Sequence, residues 1–450
     1  MVKFRLSLIL LFVSVIATQS LSAKTNRFEQ LLNETIDPEG PGSAAIVTQG
    51  DKTLFLGARG MANIELGTKL EPNHVFRLGS ITKQFTGAAI MMLHEQEKLS
   101  VTDNIKKYVP DFPTEGHDIT IAQLLTHTSG LANYTDSGET MTTRIQEQIS
   151  LDDLVAHFYD EKMHFAPGDA MRYSNTGYVL LGKIIEVASG LSYAEYIDQN
   201  IFQKLGMKNS YYGGRQIIKN RALGYTQGPS GIENAAFIDM SWPHAAGSLL
   251  GNVEDLNTWF RSLKDGRVIT LDGYQKMISP YVLNDGNESS YGYGLNVYKV
   301  NKYDAIGHSG GIPGFGTNAF YIPEKDLFVA VFNNTDRGNP GLLALKLTAI
   351  ALEIDIPEFK TVELDAKTLK SMAGVYTLAT GSTRTLSYED GALFSQRDEG
   401  RKFKVTPMSE NSFYFENSVT YFELVENNEG KLVMNFYANL ATEPELAVRN

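Results

Sequence analysis

Apolar positions first gather into two short β-prone runs, 43–47 and 53–56, on either side of Gly50-Asp51-Lys52, and this arrangement predicts a hairpin. At residue 80 the period changes. Ile81, Phe85, Ala88 and Met92 recur at spacings of four, three and four, which is one face of a helix. A second helix is predicted over 178–188, where Leu180, Leu181, Ile184, Ile185 and Val187 are apolar and Ser189-Gly190 supplies the stop. Residues 80–265 read as mainly helical. Strand character returns at 317–322 and 327–333, around the turn Pro323-Glu324-Lys325-Asp326, and Pro340 opens a helical stretch through residue 354. Strands at both ends of a helical region predict the α+β class: an antiparallel sheet, completed by N- and C-terminal pieces and flanked by helices, with a helical domain inserted.

Beyond residue 355 the texture shifts. Residues 356–366 read as a linker. Short β-rich runs then follow at 383–389, 392–396, 412–416, 419–425 and 431–437, with Asp390-Gly391 and Asn427-Asn428-Glu429-Gly430 as turns. Evenly spaced short strands predict a small all-β barrel or sandwich over 367–450. At the other end, residues 1–23 combine Lys3 and Arg5 with an apolar run over 6–17 and the small residues Ser20, Ser22 and Ala23. That is the three-part pattern of a secretory signal peptide, and the run is too short for a span of about 20 apolar residues. The expectation is an exported chain, periplasmic or secreted, with no membrane span once the leader is removed.

Composition narrows the chemistry. The 450-residue chain is 42% hydrophobic and carries a formal charge of −12, so it can bury a core and presents no general surface for nucleic acid. It contains no cysteine. Disulfides, thiolate metal sites and a cysteine nucleophile are thereby excluded.

Three constellations could carry chemistry. In Ser80-Ile81-Thr82-Lys83, the serine and lysine stand one helical turn apart, about 6 Å between Cβ atoms. A serine hydroxyl needs a base to take its proton, and a lysine serves only if burial or positive potential lowers its pKa. Tyr173-Ser174-Asn175 offers a phenol that can pass a proton and an amide that both donates and accepts. Gly307-His308-Ser309-Gly310-Gly311 also fits a G-x-S-x-G nucleophile elbow at Ser309. An α/β-hydrolase needs a histidine after its serine, and no histidine follows His308. The same glycine run lacks the Gly-Lys-Ser/Thr of a P-loop.

Taken in this order, S-x-x-K, Y-x-N and H-x-G resemble the serine β-lactamase and penicillin-binding superfamily, most closely the class C β-lactamase and D-alanyl-D-alanine carboxypeptidase branch. Residues 124–131 (LLTHTSGL), 173–182, 205–207, 291–294 and 307–315 also resemble it, so the likeness runs over 28–355. The tail resembles, more weakly, a lipocalin-like domain. The resemblance implies a β-lactamase/transpeptidase-like fold and a serine hydrolase that works through an acyl-enzyme on peptides, amides or esters, with cell-wall peptides or β-lactams among its ligands and with neither metal nor cofactor. Ser80 would be the nucleophile, and Lys83 and Tyr173 would share general base and acid work. Asn175, His308, Gly310 and Gly311 would bind substrate, with the N–H groups of Ser80 and Gly311 forming the oxyanion hole. One departure stands out: family β-lactamases carry Lys-Thr-Gly where this chain has His308-Ser309-Gly310. A histidine there is expected to attract substrate carboxylates only when protonated. That favours peptidase or esterase chemistry over efficient β-lactam hydrolysis, and no S-D-N element points to class A. The alternatives are a β-lactamase, or a non-catalytic sensor that binds penicillin or peptidoglycan.

Other polar residues read as structural. His127 suits a hydrogen-bonding role in a Thr-Ser-Gly turn. Asp160 with His164, and His157 with Glu161, have the four-residue spacing of helical metal ligands, yet a solvated helix face is the expected reading. Trp242 and Trp259 should pack, and Phe413, Tyr414, Phe415, Tyr421 and Phe422 should form a β core rather than a ligand cup.

Overall fold

The computed structural model describes residues 24–136, 138 and 144–450, so the leader expected at 1–23 lies outside the described residues. The chain divides into two compact units, one running to Tyr298 and resuming over Ala305–Ala344, the other formed by Lys299–Asp304 and Leu345–Asn450.

The first unit is organised by a six-stranded sheet in the order Asn296–Val300, Tyr303–Ile312, Phe315–Ile322, Leu327–Asn333, Ser43–Gln49, Lys52–Arg59. The N-terminal hairpin therefore joins strands from nearly three hundred residues later, in the antiparallel registers Ser43↔Asn333 and Ser43↔Arg59. Strand Leu327–Asn333 is buried at every position, which explains its unbroken apolar run. Helix Val253–Lys264 packs on it, with the Phe260 and Phe328 rings 5.1 Å apart. The inserted region is less purely helical than its pattern implies. Phe76–Arg77, Leu249–Gly251 and Tyr211–Tyr212 form a small sheet, and Tyr225–Gly228 pairs with Gly231–Asn234. Strands of two to four residues are too short to show a period.

The first predicted helix is Thr82–Glu95, and it is buried around nearly its whole circumference. Its polar positions, which look like an outer face, are instead enclosed and bonded: Thr82 Oγ1 accepts from Leu249 N at 3.1 Å, Gln84 Oε1 from Trp259 Nε1 at 3.1 Å, and Thr86 Oγ1 donates to Ala245 O at 2.6 Å. The second helix, Asn175–Ser189, begins three residues before its apolar pattern because Ser174 caps it, and it stops at Gly190 with φ of 76°. Trp242 and Trp259 are both buried.

The second unit contains a closed antiparallel barrel of eight strands from Gly374–Leu378 to Glu445–Arg449, sealed by the register Tyr376↔Arg449. Alternation sorts the aromatic tail. Phe413 and Phe422 stack inside at 5.3 Å, while Tyr414 and Tyr421 flank Phe359 at 4.8 and 5.8 Å. Helix Ala366–Met372, capped by Asp365, adds Leu369 and Met372 to this core. Three barrel strands escape the sequence pattern: Gly374–Leu378, Lys402–Pro407 and Glu445–Arg449. Lys402–Pro407 and Glu445–Arg449 are short, each carries charged residues, and each buries only one or two positions, so no long apolar run advertises them.

Candidate active site

Ser80 sits in a single 3-10 turn, Gly79–Ile81, that runs directly into helix Thr82–Glu95. Neither element has a side-chain cap, so the serine hydroxyl is not consumed by helix capping as its position suggests. Gly79 adopts φ of +54°, and a Cβ there would lie 3.0 Å from the backbone nitrogen of Gly311. Glycine is thus what lets the nucleophile turn approach the strand across the pocket.

Lys83 is fully buried, with three contacts at Nζ: Ser80 Oγ at 3.2 Å, Asn175 Oδ1 at 2.7 Å and Ala246 O at 2.8 Å. The amide and the carbonyl oxygens can only accept. A neutral amine has two N–H bonds and one lone pair, which matches two acceptors and one hydroxyl. Burial holds the Lys83 pKa well below that of an ordinary lysine, favouring this neutral form. The Tyr173 ring, 4.7 Å from Nζ, opposes that preference through its negative face. Asn175 is aimed by its own neighbours: its Nδ2 donates to Asn133 Oδ1 at 3.3 Å and Thr135 Oγ1 at 3.2 Å, which turns Oδ1 toward the lysine.

The Tyr173 hydroxyl is enclosed and has no formed hydrogen bond. Burial raises its pKa, with the adjacent Ser80 hydroxyl working against that rise, so the phenol stays protonated at neutral pH. Its ring rests on His127 at 4.2 Å. His127 holds a strained φ of 60° and accepts from Ser174 N through Nδ1 at 3.1 Å, which fastens the Tyr173-Ser174-Asn175 corner. This is the structural hydrogen-bonding role expected of it.

His308 differs from its expected part. It is 5% exposed, its Nδ1 donates to Ser309 O at 2.5 Å, and its Nε2 accepts from the Tyr291 hydroxyl at 2.7 Å. Burial first, then the nearby Lys83, pushes its pKa down to about 3. The ring is neutral, as a histidine often is at pH 7, and both nitrogens are engaged, so the carboxylate-attracting role expected of it on protonation is corrected. Tyr291 is the partner that sequence reasoning missed. It lies in the Tyr-Gly-Tyr-Gly segment that carried part of the family resemblance, but nothing local connects it to residue 308.

Ser80, Asn175, Tyr134, Ala246 and Gly311 line one small cavity of about 90 Å³. Gly310 lies in the same strand, where an added Cβ would collide with the Leu78 carbonyl and Thr317 Oγ1. Ser309 stands mid-strand opposite Asn318, with no strand-to-helix turn, so the nucleophile-elbow geometry is absent. Helix Leu151–Ala156 ends before His157, so the pairs at 157/161 and 160/164 do not share a helical face.

The Beta-lactamase family model matches residues 28–352. This chain belongs to the beta-lactamase family. Penicillin-binding protein 4* of Bacillus subtilis (strain 168) is 28% identical over 411 residues, covering 86% of this chain and 90% of that protein. An octameric penicillin-binding protein homologue from Pyrococcus abyssi is similar at TM-score 0.68 and 26% identity, over 94% of this chain and 99% of that one. A penicillin-binding protein from Bacillus halodurans reaches TM-score 0.62 at 26% identity, over 72% of this chain and 98% of its own. The beta-lactamase/transpeptidase-like fold places this chain in the superfamily of β-lactamase-fold serine hydrolases.

The buried histidines of this beta-lactamase-family chain make its stability pH-dependent. Folding holds His308 and His244 neutral down to about pH 3 and 4, and also lowers His127. An unfolded histidine takes a proton below about pH 6.5, so the unfolded state binds more protons throughout that window. Stability is expected to fall more steeply as pH drops from about 6.5, below a shallower slope that the lowered Lys83 contributes up to the ordinary lysine range. Urea midpoints measured from pH 8 to 5 check this, and a flat series would refute neutral buried rings.

Proposed function

We propose that this protein is an exported serine hydrolase that transfers the acyl part of a peptide, amide or ester to Ser80 and then to water, in the manner of D-amino-acid peptidases and esterases. The carrying observation is the buried Lys83, which stands 3.2 Å from Ser80 Oγ with its other two contacts made to oxygen acceptors. Ser80 Oγ attacks the carbonyl carbon while its proton passes to Lys83 Nζ. The N–H groups of Ser80 and Gly311 face the developing oxyanion. Tyr173 gives its proton to the leaving nitrogen or oxygen, and the Lys83 ammonium returns one to the phenol. Water then repeats the attack on the Ser80 ester with the proton transfers reversed. Asn175 holds Lys83 and meets the substrate amide, and neutral His308 fixes the strand beside Tyr291. The names of the Bacillus and Pyrococcus relatives support penicillin binding, and the leader pattern with Lys3 and Arg5 supports export. Among the described residues no helix is long and apolar enough to cross a membrane.

A second reading is slow β-lactam acylation of the same serine. A neutral histidine in place of the family lysine supports binding over efficient hydrolysis. A panel of D-alanyl peptides, D-amino-acid amides, short esters and a fluorescent penicillin separates the two. Turnover of at least one peptide, amide or ester is expected, together with a label on Ser80. No turnover with a permanent stoichiometric penicillin adduct would favour the sensor, and no reaction with any probe would sink both readings.

A further inference from the structure

Next to the nucleophile pocket lies a larger cleft of about 1010 Å³, which shares Ile238 with it. Ile145 lines the small cavity and Gln146 the large one, and Pro243 and His244 divide in the same way, so the two spaces adjoin. The charge of the cleft runs against the molecule. In a chain of net charge −12, its lining among the described residues contains Arg77, Arg215 and Arg221 against a single acidic residue, Asp239.

Arg77 and Arg221 are placed together by backbone: Val75 bridges to Arg221, and Arg77 pairs with Leu250. Among the described residues neither guanidinium makes an ion pair or a side-chain hydrogen bond. Arg77 lies 6.0 Å from the centroid of Phe315, just past the turn that follows Gly311 and Ile312. Asp239, whose Oδ1 accepts from the N–H and hydroxyl of Ser241, brings one negative charge to this wall and offsets only part of the positive charge. Burial, followed by repulsion from Arg221, lowers Arg77 to about 10, with attraction to Asp239 the smallest influence and opposed to both. Arg77 precedes Ser80 by three residues, so the two Cα atoms are at most about 11 Å apart. Gln146 and Gln148 add amide groups to the same wall.

We infer that this cleft is an anion subsite in which Arg77 and Arg221 bind a carboxylate carried on the acyl half of the substrate. A guanidinium pair suits a planar carboxylate, and a flexible acyl chain of a few carbons spans the distance from Ser80. The inference rests on Ser80 as the acylated residue and names the substrate class of that site: acyl groups ending in an acid.

Binding rather than turnover tests it. Ser80→Ala protein is titrated calorimetrically with glutaryl-D-alanine amide and with pentanoyl-D-alanine amide, which lacks the terminal carboxylate. The glutaryl compound is expected to bind roughly tenfold tighter or more, the range for a charged hydrogen bond. Arg77→Gln should abolish the preference and Arg221→Gln, at an exposed position, should reduce it, with thermal melts confirming that each variant is folded. Equal affinities, no binding of the glutaryl compound, or a preference that survives both substitutions would overturn the subsite. Loss of hydrolysis in the parent protein would count against the acyl-enzyme reading and leave this comparison standing.

Discussion

Replacing Ser80 with alanine is expected to eliminate covalent labelling by a fluorophosphonate or fluorescent penicillin and to lower turnover at least about 10⁴-fold, the scale for removing a nucleophile that acts with its base as a unit. The fold should survive. The hydroxyl caps neither the 3-10 turn nor the helix after it, and its hydrogen bond is to Lys83. A melting temperature within a few degrees of the parent is the expected control, because the substitution removes one hydrogen bond, to Lys83, worth about 1 kcal/mol. The intact-mass shift and the labelled peptide identify the acylated residue directly. A label that persists at Ser309 would overturn the assignment, although that serine's mid-strand position opposite Asn318 gives it no base and no turn.

Much of this site was legible in the residue order, and the reasons are physical. Ser80 and Lys83 are three residues apart on one helix, so local geometry alone brings them together. Tyr173 and Asn175 flank a capping serine, and a corner that ends in a helix cap is rigid enough to aim two side chains. Gly310 and Gly311 followed from the family motif, and an added Cβ at Gly310 would meet the Leu78 carbonyl. What was not legible depends on long-range contact. The Ala246 carbonyl that accepts a hydrogen bond from Lys83 lies in a short helix, His244–Gly247, whose alanines and glycine carry no chemical signal. The carboxylate-facing role of His308 was misjudged because its identity was readable but its enclosure with Tyr291 was not. Arg77 and Arg221 were passed over for the same reason: 144 positions apart in sequence, they meet only through the Val75 bridge. The sheet was legible because its central strand is apolar from Leu327 to Phe332 and buried throughout, whereas the missed barrel strands are five or six residues long and mix apolar with polar positions.

Lys83 and Tyr173 should fail in different ways when altered, and the difference separates base from acid. Lys83→Met removes the only atom positioned to take the Ser80 proton, so acylation of every substrate should fall by at least about a hundredfold. It also strands Asn175 Oδ1 and Ala246 O, each worth about 1–3 kcal/mol when buried and unpaired, so a lower melting temperature is expected with it. Tyr173→Phe removes a hydroxyl with no formed hydrogen bond and should leave stability close to the parent. Its effect should depend on the leaving group. An amide nitrogen must be protonated as it departs, so amide turnover should fall about a hundredfold or more, whereas an aryl ester, whose leaving phenolate needs no proton, should be largely spared. The pH profiles carry the same logic. Neutral Lys83 is the active form, so kcat/KM in the parent should rise with pH through the lowered Lys83 pKa, and Lys83→Met should lose that limb while Tyr173→Phe keeps it. Equal losses on amide and aryl ester in Tyr173→Phe would mean that the hydroxyl serves a step common to both substrates, beside the Ser80 hydroxyl, rather than delivering a proton to the leaving group, and the general acid would then have to be the Lys83 ammonium itself.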